Sequence, residues 1–336
     1  MRIARWTLRP VGEPVEPQGP GADVAEGFVI DDSVVPFPDG LTVADVLTQG
    51  LDAAQAVYAD VDVSTGRPLA DVQLLAPLVP TAIRDFVAFE EHVEGVSAGV
   101  EGKSHVAPEW YELPTFYFTN PHSILATGAV VRPPATERLD YELEVGVVIG
   151  GVAGSDGRDL APAEADAHIF GYTIFNDWSA RDVQAREMKV RLGPAKGKDF
   201  ATTLGPWIVT ADEFDDLVDG DGFLPIVIEA FVNGERLGHD LLSNMGWPFR
   251  DLVAYASRDT RVVPGDVLGS GTAGNGGCLA ELWGRAGSLT PPPLVEGDEV
   301  VLRVEGIGEI RNTVGRAVHV PPIPPARQRS RARARG

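Results

Sequence analysis

The sequence predicts an α+β fold that is mostly β, with a small N-terminal domain over residues 1–75 and a larger domain over residues 76–320. Its 336 residues suit about two domains of roughly 150 residues each. Beyond residue 76, apolar residues occur in short β-branched runs between Gly, Pro and Asp. Because these runs do not alternate with long helical segments, they favour a β-rich domain with a few helices over a βαβ fold.

The N-terminal domain is predicted to begin with a strand over residues 2–8, followed by a loop rich in Pro and Gly from Pro10 to Gly21. Thr42 and Asp45 then resemble a helix capping box, with Asp in place of Glu. The apolar residues after Thr42 lie at helical spacing, and they are Val46, Leu47, Leu51, Ala54 and Val57. We expect one helix here.

The larger domain is predicted to form strands where β-branched residues cluster. These clusters lie at residues 145–149, 207–209, 224–232, 261–263 and 299–304. Asn233-Gly234 predicts a hairpin, because both positions of a two-residue turn need positive φ. Residues 321–336 combine a proline cluster with alternating arginines and predict a disordered tail.

Composition excludes several classes of protein. The 28 Lys and Arg against 49 Asp and Glu give a formal charge of −21, which argues against nucleic acid as a partner. No apolar run approaches the roughly 20 residues of a membrane span, and no signal-like segment follows Met1. The single cysteine excludes an internal disulfide framework. We therefore expect a cytoplasmic protein with no membrane partner.

Glu142 and Glu144 form the first candidate site. Side chains alternate faces along a strand, so these two carboxylates point the same way while Leu143 and Val145 point oppositely. A hard cation such as Mg²⁺ or Ca²⁺ would remove their mutual repulsion. The alternative is a solvent-facing edge with two ordinary glutamates.

Asp177 is the second candidate, at the end of the apolar run 169–174. Residues 179–189 are predicted to be helical, which places Arg181 and Gln184 on one face. The alternative is a capped helix start with surface charges. In a third segment, Asp85 is expected to cap a helix that carries His92 two turns later, where an ordinary surface histidine is the alternative.

Taken together, these segments resemble the fumarylacetoacetate hydrolase family over roughly residues 80–310. The segments that carry the resemblance are Asp85…His92, Glu142-Leu-Glu144, Asn176-Asp177-Trp178-Ser179-Ala180-Arg181-Asp182-Val183-Gln184, Gly197-Lys198-Asp199-Phe200 and Ala280-Glu281-Leu282. The long Asn-Asp-Trp-Ser-Ala-Arg-Asp motif is highly specific, whereas Glu-x-Glu alone is not. The resemblance implies a mixed β-sandwich roll, and relatives of this family are usually homodimers.

The resemblance also implies roles for individual residues. The metal ligands would be Asp85, Glu142, Glu144 and Asp177, holding a divalent cation for which Mg²⁺ is favoured and Ca²⁺ or Mn²⁺ are alternatives. The catalytic group would be His92, Glu281, Arg181, Gln184 and Lys198. Tyr117 and Thr272 would contact the substrate.

The activity implied is hydrolysis of a C–C bond in a ketonic substrate, a small 1,3-diketo acid similar to fumarylacetoacetate or an acylpyruvate. His92, oriented by Glu281, would take a proton from water, and Arg181, Gln184 or Lys198 would stabilise the oxyanion. Relatives also isomerise or decarboxylate 2-oxo acids or hydroxylated dienedioates from aromatic catabolism, which is one alternative. A non-catalytic, metal-stabilised binding protein is the second.

Two positions depart from the family pattern. Val87 stands where the family has Tyr, and Glu101 stands where a gapless comparison places an Arg. A substrate carboxylate would be repelled by Glu101, so we expect a changed distal pocket. Cys278 has no basic neighbour in the sequence and is expected to be a buried structural thiol.

Overall fold

A computed structural model of the chain describes residues 1–8, 24–101 and 104–326. The loop predicted from Pro10 to Gly21 and the Arg-rich end of the predicted tail lie outside these ranges. Residues 321–326, where that tail begins, form neither helix nor strand. No helix in the described ranges is long and apolar enough to cross a membrane.

The structure is α+β and mostly β, as predicted. The strands are β1 Arg2–Leu8, β2 Ala25–Ile30, β3 Ser33–Pro36, β4 Arg67–Pro68, β5 Val72–Leu74, β6 Ile83–Phe86, β7 Phe116–Thr119, β8 Ile124–Leu125, β9 Val130–Val131, β10 Leu139–Asp140, β11 Leu143–Ile149, β12 Ile169–Asp177, β13 Ser179–Ala180, β14 Thr202–Thr210, β15 Val227–Val232, β16 Glu235–Leu241, β17 Val267–Gly269, β18 Glu299–Val304 and β19 Gly308–Val314. The helices are α1 Val43–Gln49, α2 Leu51–Ala59, α3 Glu90–Glu101, α4 Pro162–Asp166, α5 Arg181–Met188, α6 Phe249–Ser257 and α7 Leu279–Ala286. Short 3₁₀ turns lie at Val63–Thr65, Leu69–Asp71, Pro108–Tyr111, Ala211–Phe214 and Leu242–Asn244.

One large mixed sheet dominates the fold. Its strands follow the order β4-β3-β2-β1-β14-β12-β11-β17-β6-β7, with β5 added beside β1 and β8 beside β14. A second sheet has the order β16-β15-β18-β19-β9, and β10 and β13 form a separate pair. Most pairs are antiparallel, whereas β17 runs parallel to β6, β8 parallel to β14 and β9 parallel to β19.

The N-terminal residues extend the large sheet. β1 pairs with β14 through Arg2↔Val209 and Ile3↔Ile208. One buried cluster packs Ile3 and Phe28 against Val148 and other side chains of the larger domain. The two predicted domains therefore share one sheet and one buried cluster. Whether the chain on each side of residue 75 folds independently stays a prediction.

The capping box predicted for the first helix is confirmed. Thr42 and Asp45 each accept a hydrogen bond from the other's backbone N–H. The prediction of one continuous helix is wrong, because the chain forms α1 and α2 with Gly50 between them. Gly50 has a φ of +89°, and a Cβ on it would lie 2.2 Å from the Gly151 carbonyl oxygen, so this turn requires glycine.

The hairpin predicted at Asn233-Gly234 is confirmed. Asn233 has a φ of 50° and Gly234 a φ of 81°, and the turn joins β15 to β16. The strand predicted at 261–263 is wrong, since only residue 261 makes an isolated bridge, to Arg158. Pro264 has no N–H to continue a ladder there.

Candidate metal centre and active site

Three buried carboxylates converge on one side of the large sheet. The carboxylate oxygens of Asp85, Glu142 and Glu144 lie within 4.8 Å of one another. Asp85 lies on β6, Glu144 on β11, and Glu142 immediately before β11. The prediction that Asp85 caps a helix is wrong, because it sits in a strand opposite Tyr117 and Gly269. The alternative of solvent-facing glutamates is also wrong, because Glu142 and Glu144 are buried.

Gly269 explains how Asp85 and Glu144 can meet. It lies on β17, between β6 and β11, and pairs with Asp85 on one side and Gly146 on the other. A Cβ on Gly269 would lie 2.4 Å from Asp85 Oδ1 and 2.9 Å from Glu144 Oε2. The missing side chain therefore gives the two carboxylates room above the sheet.

Asp177 joins this group through Lys198. It ends β12, where Tyr117 donates its hydroxyl hydrogen to Asp177 Oδ2 at 2.5 Å. Lys198 Nζ donates to the same oxygen at 2.6 Å and also contacts Glu142 Oε2. Lys198 thus partly neutralises two of the expected ligands.

The electrostatic environment differs from one carboxylate to the next. Burial and the nearby Asp177 raise the pKa of Asp85 well above its usual range, and burial and Asp85 do the same for the pKa of Glu144. Burial would also raise the pKa of Glu142, but Arg181 and Lys198 outweigh it and lower that pKa. Bringing Asp85 and Glu144 together as anions is therefore unfavourable without a cation.

The residues present fit a divalent cation. Asp85 Oδ1, Glu144 Oε2 and Asp177 Oδ1 are buried and have no hydrogen-bond partner in the described part of the chain. Buried polar atoms are normally paired, so three orphaned carboxylate oxygens in one region point to a missing ligand. An all-oxygen donor set suits a hard cation such as Mg²⁺, Ca²⁺ or Mn²⁺.

Arg181 stands beside the carboxylates at the start of α5. Its Nη2 lies 2.6 Å from Glu142 Oε1, and its Nη1 donates to Gln184 Oε1 at 3.2 Å. The prediction that Arg181 and Gln184 share one helix face is confirmed. The helix is shorter than predicted because Ser179 and Ala180 form β13.

Asp140 is a residue that sequence reasoning missed. It is fully buried and accepts hydrogen bonds from Arg181 Nε at 2.8 Å and from the N–H groups of Leu279 and Ala280 at 2.7 and 3.0 Å. It therefore ties Arg181 to the first turn of α7. The available signal was its position two residues before Glu142, in the same alternating series of acids.

His92 is buried on α3, which makes the alternative of a surface histidine wrong. Burial lowers its pKa to about 4; Glu142 opposes this shift, whereas Arg181 and Lys198 reinforce it. The imidazole is therefore neutral at neutral pH. Its Nδ1 lies 3.6 Å from Cys278 Sγ.

Glu281 lies on α7, which packs closely on α3. A Cβ on Gly95 would lie 2.3 Å from Glu281 Cγ, so the two helices approach each other one turn beyond His92. The Glu281 carboxylate accepts from the Gly276 N–H at 3.2 Å and pairs with Arg285 at 2.6 Å. Burial raises its pKa to about 7. In the described part of the chain, His92 Nδ1 contacts the Cys278 thiol and not the Glu281 carboxylate. Orientation of His92 by Glu281 therefore stays a prediction.

The expected substrate contacts touch the carboxylates. Thr272 Oγ1 donates to Glu144 Oε1 at 3.2 Å, and Tyr117 donates to Asp177. Both side chains thus border the buried carboxylates. Cys278 is buried, as predicted, and its sulfur accepts from the Glu281 N–H at the start of α7.

The fold is a mostly β scaffold, and the site is a buried carboxylate centre whose residues could hold a divalent cation. Residues 81–315 match the family model described as fumarylacetoacetate (FAA) hydrolase C-terminal. The chain belongs to the fumarylacetoacetate hydrolase family.

Relatives support this assignment. The chain is 28% identical to the fumarylacetoacetase of Oryza sativa subsp. japonica over 286 residues, covering 70% of this chain and 66% of that protein. It is 30% identical to the fumarylacetoacetase of Bos taurus over 307 residues, covering 75% and 73%. The match thus spans about two thirds to three quarters of these relatives.

Solved structures share the fold. The fumarylacetoacetate hydrolase from Exiguobacterium antarcticum aligns with a TM-score of 0.67 at 26% identity, covering 94% of this chain and 99% of that one. A maleylpyruvate hydrolase from Sphingobium sp. SYK-6, in complex with manganese (II) ion and pyruvate, has a TM-score of 0.65 at 20% identity and covers 95% and 100%. A 2-hydroxyhepta-2,4-diene-1,7-dioate isomerase from Mycobacterium marinum has a TM-score of 0.62 at 22% identity and covers 94% and 98%. The last two establish a common fold alone.

Proposed function

We propose that this protein is a divalent-metal-dependent hydrolase that cleaves a C–C bond in a small 1,3-diketo acid of the fumarylacetoacetate or acylpyruvate type. The observation that carries the proposal is a neutral, buried imidazole beside a carboxylate centre that also holds Arg181 and Lys198. That combination supplies a base, an anion-binding region and a cation site within one small volume.

The metal would be held by Asp85, Glu142, Glu144 and Asp177, with Mg²⁺ favoured over Ca²⁺ and Mn²⁺. A bound dication would polarise the substrate carbonyl that is attacked. Thr272 and Tyr117 hold Glu144 and Asp177 in place through hydrogen bonds and would border the substrate.

His92 would act as the general base. If its Nδ1–H is directed at Cys278 Sγ, Nε2 keeps a free lone pair that can accept a proton from water. Because burial holds its pKa at about 4, the ring is available in its neutral form across the neutral range.

Arg181 and Lys198 would stabilise the oxyanion that follows attack by water. Burial would lower the pKa of Lys198, but Asp177 and Glu142 outweigh it and raise that pKa, so the ammonium group stays charged. Preorganised cationic donors in a buried site stabilise developing negative charge without reorganisation. Gln184, bonded to Arg181, would add a further polar contact.

The choice of substrate would depend on two positions that are expected from the sequence to line a distal pocket. Val87 and Glu101 replace the Tyr and Arg expected from the family pattern, and the Glu101 side chain lies outside the described part of the structure. This difference favours a substrate without a distal carboxylate, such as an acylpyruvate, over fumarylacetoacetate itself.

Isomerisation or decarboxylation of a 2-oxo or dienedioate acid is the second candidate. The favouring observation is that the Glu281 carboxylate is bonded to Arg285 and to the Gly276 N–H, and not positioned by a described contact to activate water through His92. A non-catalytic protein that only binds a cation at the four carboxylates is disfavoured, because that cation site needs neither a buried His92 nor Arg181.

The test uses a panel of acylpyruvates, fumarylacetoacetate and hydroxylated dienedioates as substrates. Their consumption is measured as a loss of ultraviolet absorbance, first with Mg²⁺ and then after EDTA is added. We expect the substrate to be cleaved into two acids, and we expect EDTA to abolish this cleavage.

His92→Ala should lower turnover by roughly 10²–10⁴-fold, the usual contribution of a general base. His239→Ala, at an exposed histidine, is the control. A fully active His92→Ala variant would contradict the mechanism, and isomers or CO₂ as products would favour the second candidate.

The proposal extends to assembly and location. We expect a homodimer in the cytoplasm, by analogy with family relatives. Light scattering on the purified full chain measures the oligomeric state, and a monomer at micromolar concentration would contradict the expected homodimer.

A further inference from the structure

A second group of metal-ligating atoms lies beside the carboxylate centre. His92 from α3, Glu142 before β11 and Cys278 at the start of α7 each offer a donor atom, and these atoms lie within 4.8 Å of one another. All three residues are buried, at 8%, 3% and 0% exposure. We propose that His92 Nδ1, Cys278 Sγ and a Glu142 carboxylate oxygen form a separate site for a thiophilic dication such as Zn²⁺.

The distance between two of the donors fits one tetrahedral zinc ion. Zinc binds sulfur at about 2.3 Å and imidazole nitrogen at about 2.0–2.1 Å, so two such ligands on a tetrahedral ion lie about 3.5 Å apart. His92 Nδ1 and Cys278 Sγ are 3.6 Å apart. These two ligands therefore need almost no movement, and the Glu142 oxygen and a water would complete the coordination.

The chemistry of the donors separates this site from the carboxylate centre. Thiolate and imidazole prefer zinc and similar ions, whereas carboxylate oxygens prefer Mg²⁺, Ca²⁺ or Mn²⁺. Glu142 has two oxygens facing different neighbours, since Oε1 lies beside Arg181 and Oε2 beside Lys198. One carboxylate can thus border both sites.

The charge of the region leaves room for a second cation. Its buried carboxylates are Asp85, Asp140, Glu142, Glu144 and Asp177. Against these five, Arg181 and Lys198 supply two positive charges, so one bound dication still leaves one negative charge. Zinc binding releases the Cys278 thiol proton to solvent and adds one net positive charge, which neutralises the region.

Occupation of this site would have a consequence for the proposed reaction. Zinc on Nδ1 and beside Glu142 would fix the ring and place a positive charge next to the general base, so zinc should inhibit turnover. This consequence rests on the proposed function, whereas zinc binding itself does not. The binding test below is therefore independent of any substrate.

Cobalt provides the sharpest test, because a thiolate ligand gives Co²⁺ an ultraviolet sulfur-to-metal charge-transfer band. Cys278 is the chain's single cysteine, so any such band identifies it without ambiguity. The full chain is first saturated with Mg²⁺ and then titrated with Co²⁺. We expect the band to appear with one Co²⁺ per chain and to disappear when Zn²⁺ is added.

Two variants complete the experiment. Cys278→Ser retains a side-chain acceptor at the start of α7 but loses the soft ligand, so it should lack the band. Since loss of an outer-shell partner alone costs roughly 10–100-fold in metal affinity, loss of this ligand should weaken zinc binding at least about tenfold. His239→Gln removes an exposed imidazole and should behave as the wild type. Circular dichroism checks that both variants fold.

Absence of the cobalt band in the wild-type chain would overturn the proposal, and this measurement needs no variant. Equal zinc affinity in the wild type and Cys278→Ser would overturn it as well. Either result would leave the 3.6 Å contact as a hydrogen bond between thiol and imidazole.

Discussion

At the scale of single residues, Gly269 controls how closely Asp85 and Glu144 approach. A methyl group there would occupy the space in which the two carboxylates meet. We expect Gly269→Ala to weaken Mn²⁺ binding roughly 10–100-fold, as displaced ligands do. It should also cost about 1–3 kcal/mol of unfolding free energy through overpacking.

Isothermal titration with Mn²⁺ and urea unfolding measure the two effects of Gly269→Ala. Gly220→Ala is the matched control, because a Cβ at Gly220 meets nothing within 4 Å. Unchanged Mn²⁺ affinity in Gly269→Ala would show that the ion does not use Asp85 and Glu144 together.

Glu281 gives a prediction for pH dependence. Burial raises its pKa from 4.5 to about 7, so the folded state favours the protonated acid. The protonated Glu281 carboxyl therefore contributes stability that is complete below pH 4.5 and is lost as pH rises through 7. The difference between the two pKa values corresponds to ~3 kcal/mol of unfolding free energy. Glu281→Gln cannot ionise and should lack this loss.

Unfolding free energies between pH 4.5 and 8 test the role of Glu281. The difference between wild type and Glu281→Gln isolates one carboxyl group, and Glu296→Gln, at an exposed ion pair, is the control. Parallel pH curves for wild type and Glu281→Gln would contradict a raised pKa.

Strand alternation and motif spacing identified Glu142, Glu144 and Asp177 from the sequence, because such side-chain directions are local properties. Whether they were exposed could not be predicted locally, since their burial depends on strands and helices distant in sequence. Asp140 was missed for the same reason. Its partners are Arg181 and the start of α7, which only the tertiary fold brings together.

At the scale of elements, Asp140 links α7 to Arg181 on α5. Asp140→Asn keeps the shape of the side chain but leaves Arg181 with one anionic partner fewer. We expect a loss of about 3 kcal/mol of unfolding free energy, as for a broken buried ion pair. Turnover should fall by up to about 10²-fold through misplacement of Arg181, with KM changed less than kcat.

Glu26→Gln is a matched control for Asp140→Asn. Glu26 also joins an arginine to the first turn of a helix, since it accepts from Arg5 Nε at 2.7 Å and the Val43 N–H at 2.6 Å. It lies in the N-terminal part of the chain, so it should lower stability without changing turnover. Equal losses of turnover in the two variants would contradict a positioning role for Asp140.

Helices, turns and strands could be predicted from the sequence where the interactions that form them are close together in the chain. The Asn233-Gly234 hairpin and the Thr42 capping box were predictable because each is specified within four residues. The break at Gly50 was not, because its cause is the approach of the distant Gly151 carbonyl.

At the scale of the whole molecule, the continuous sheet makes residues 1–75 part of the larger fold. A fragment of residues 76–326 would lose β1, leave β14 without its partner at Ile208 and Val209, and remove Ile3 and Phe28 from a buried cluster. We expect this fragment to show no cooperative thermal unfolding by circular dichroism. A sharp transition would instead support an independent larger domain.

The fragment 1–326 is the control for that truncation. It removes only the end of the predicted disordered tail and should unfold at the temperature of the full chain. A lower unfolding temperature would mean that the Arg-rich segment contributes to the fold.

The fold class could be predicted from the sequence, because short β-branched runs and their turns are local. The order of strands could not, because pairs such as β1 with β14 join residues about 200 positions apart. Likewise, the parallel pairing of β17 with β6, which brings Asp85 beside Gly269, has no local sequence cause.

The burial of Cys278 at the α3–α7 contact gives the molecule a built-in reporter. A small thiol reagent can reach this sulfur only when the two helices separate, since the residue is 0% exposed. The labelling rate would therefore measure how often α3 and α7 separate, and a ligand that holds the two helices together would slow it.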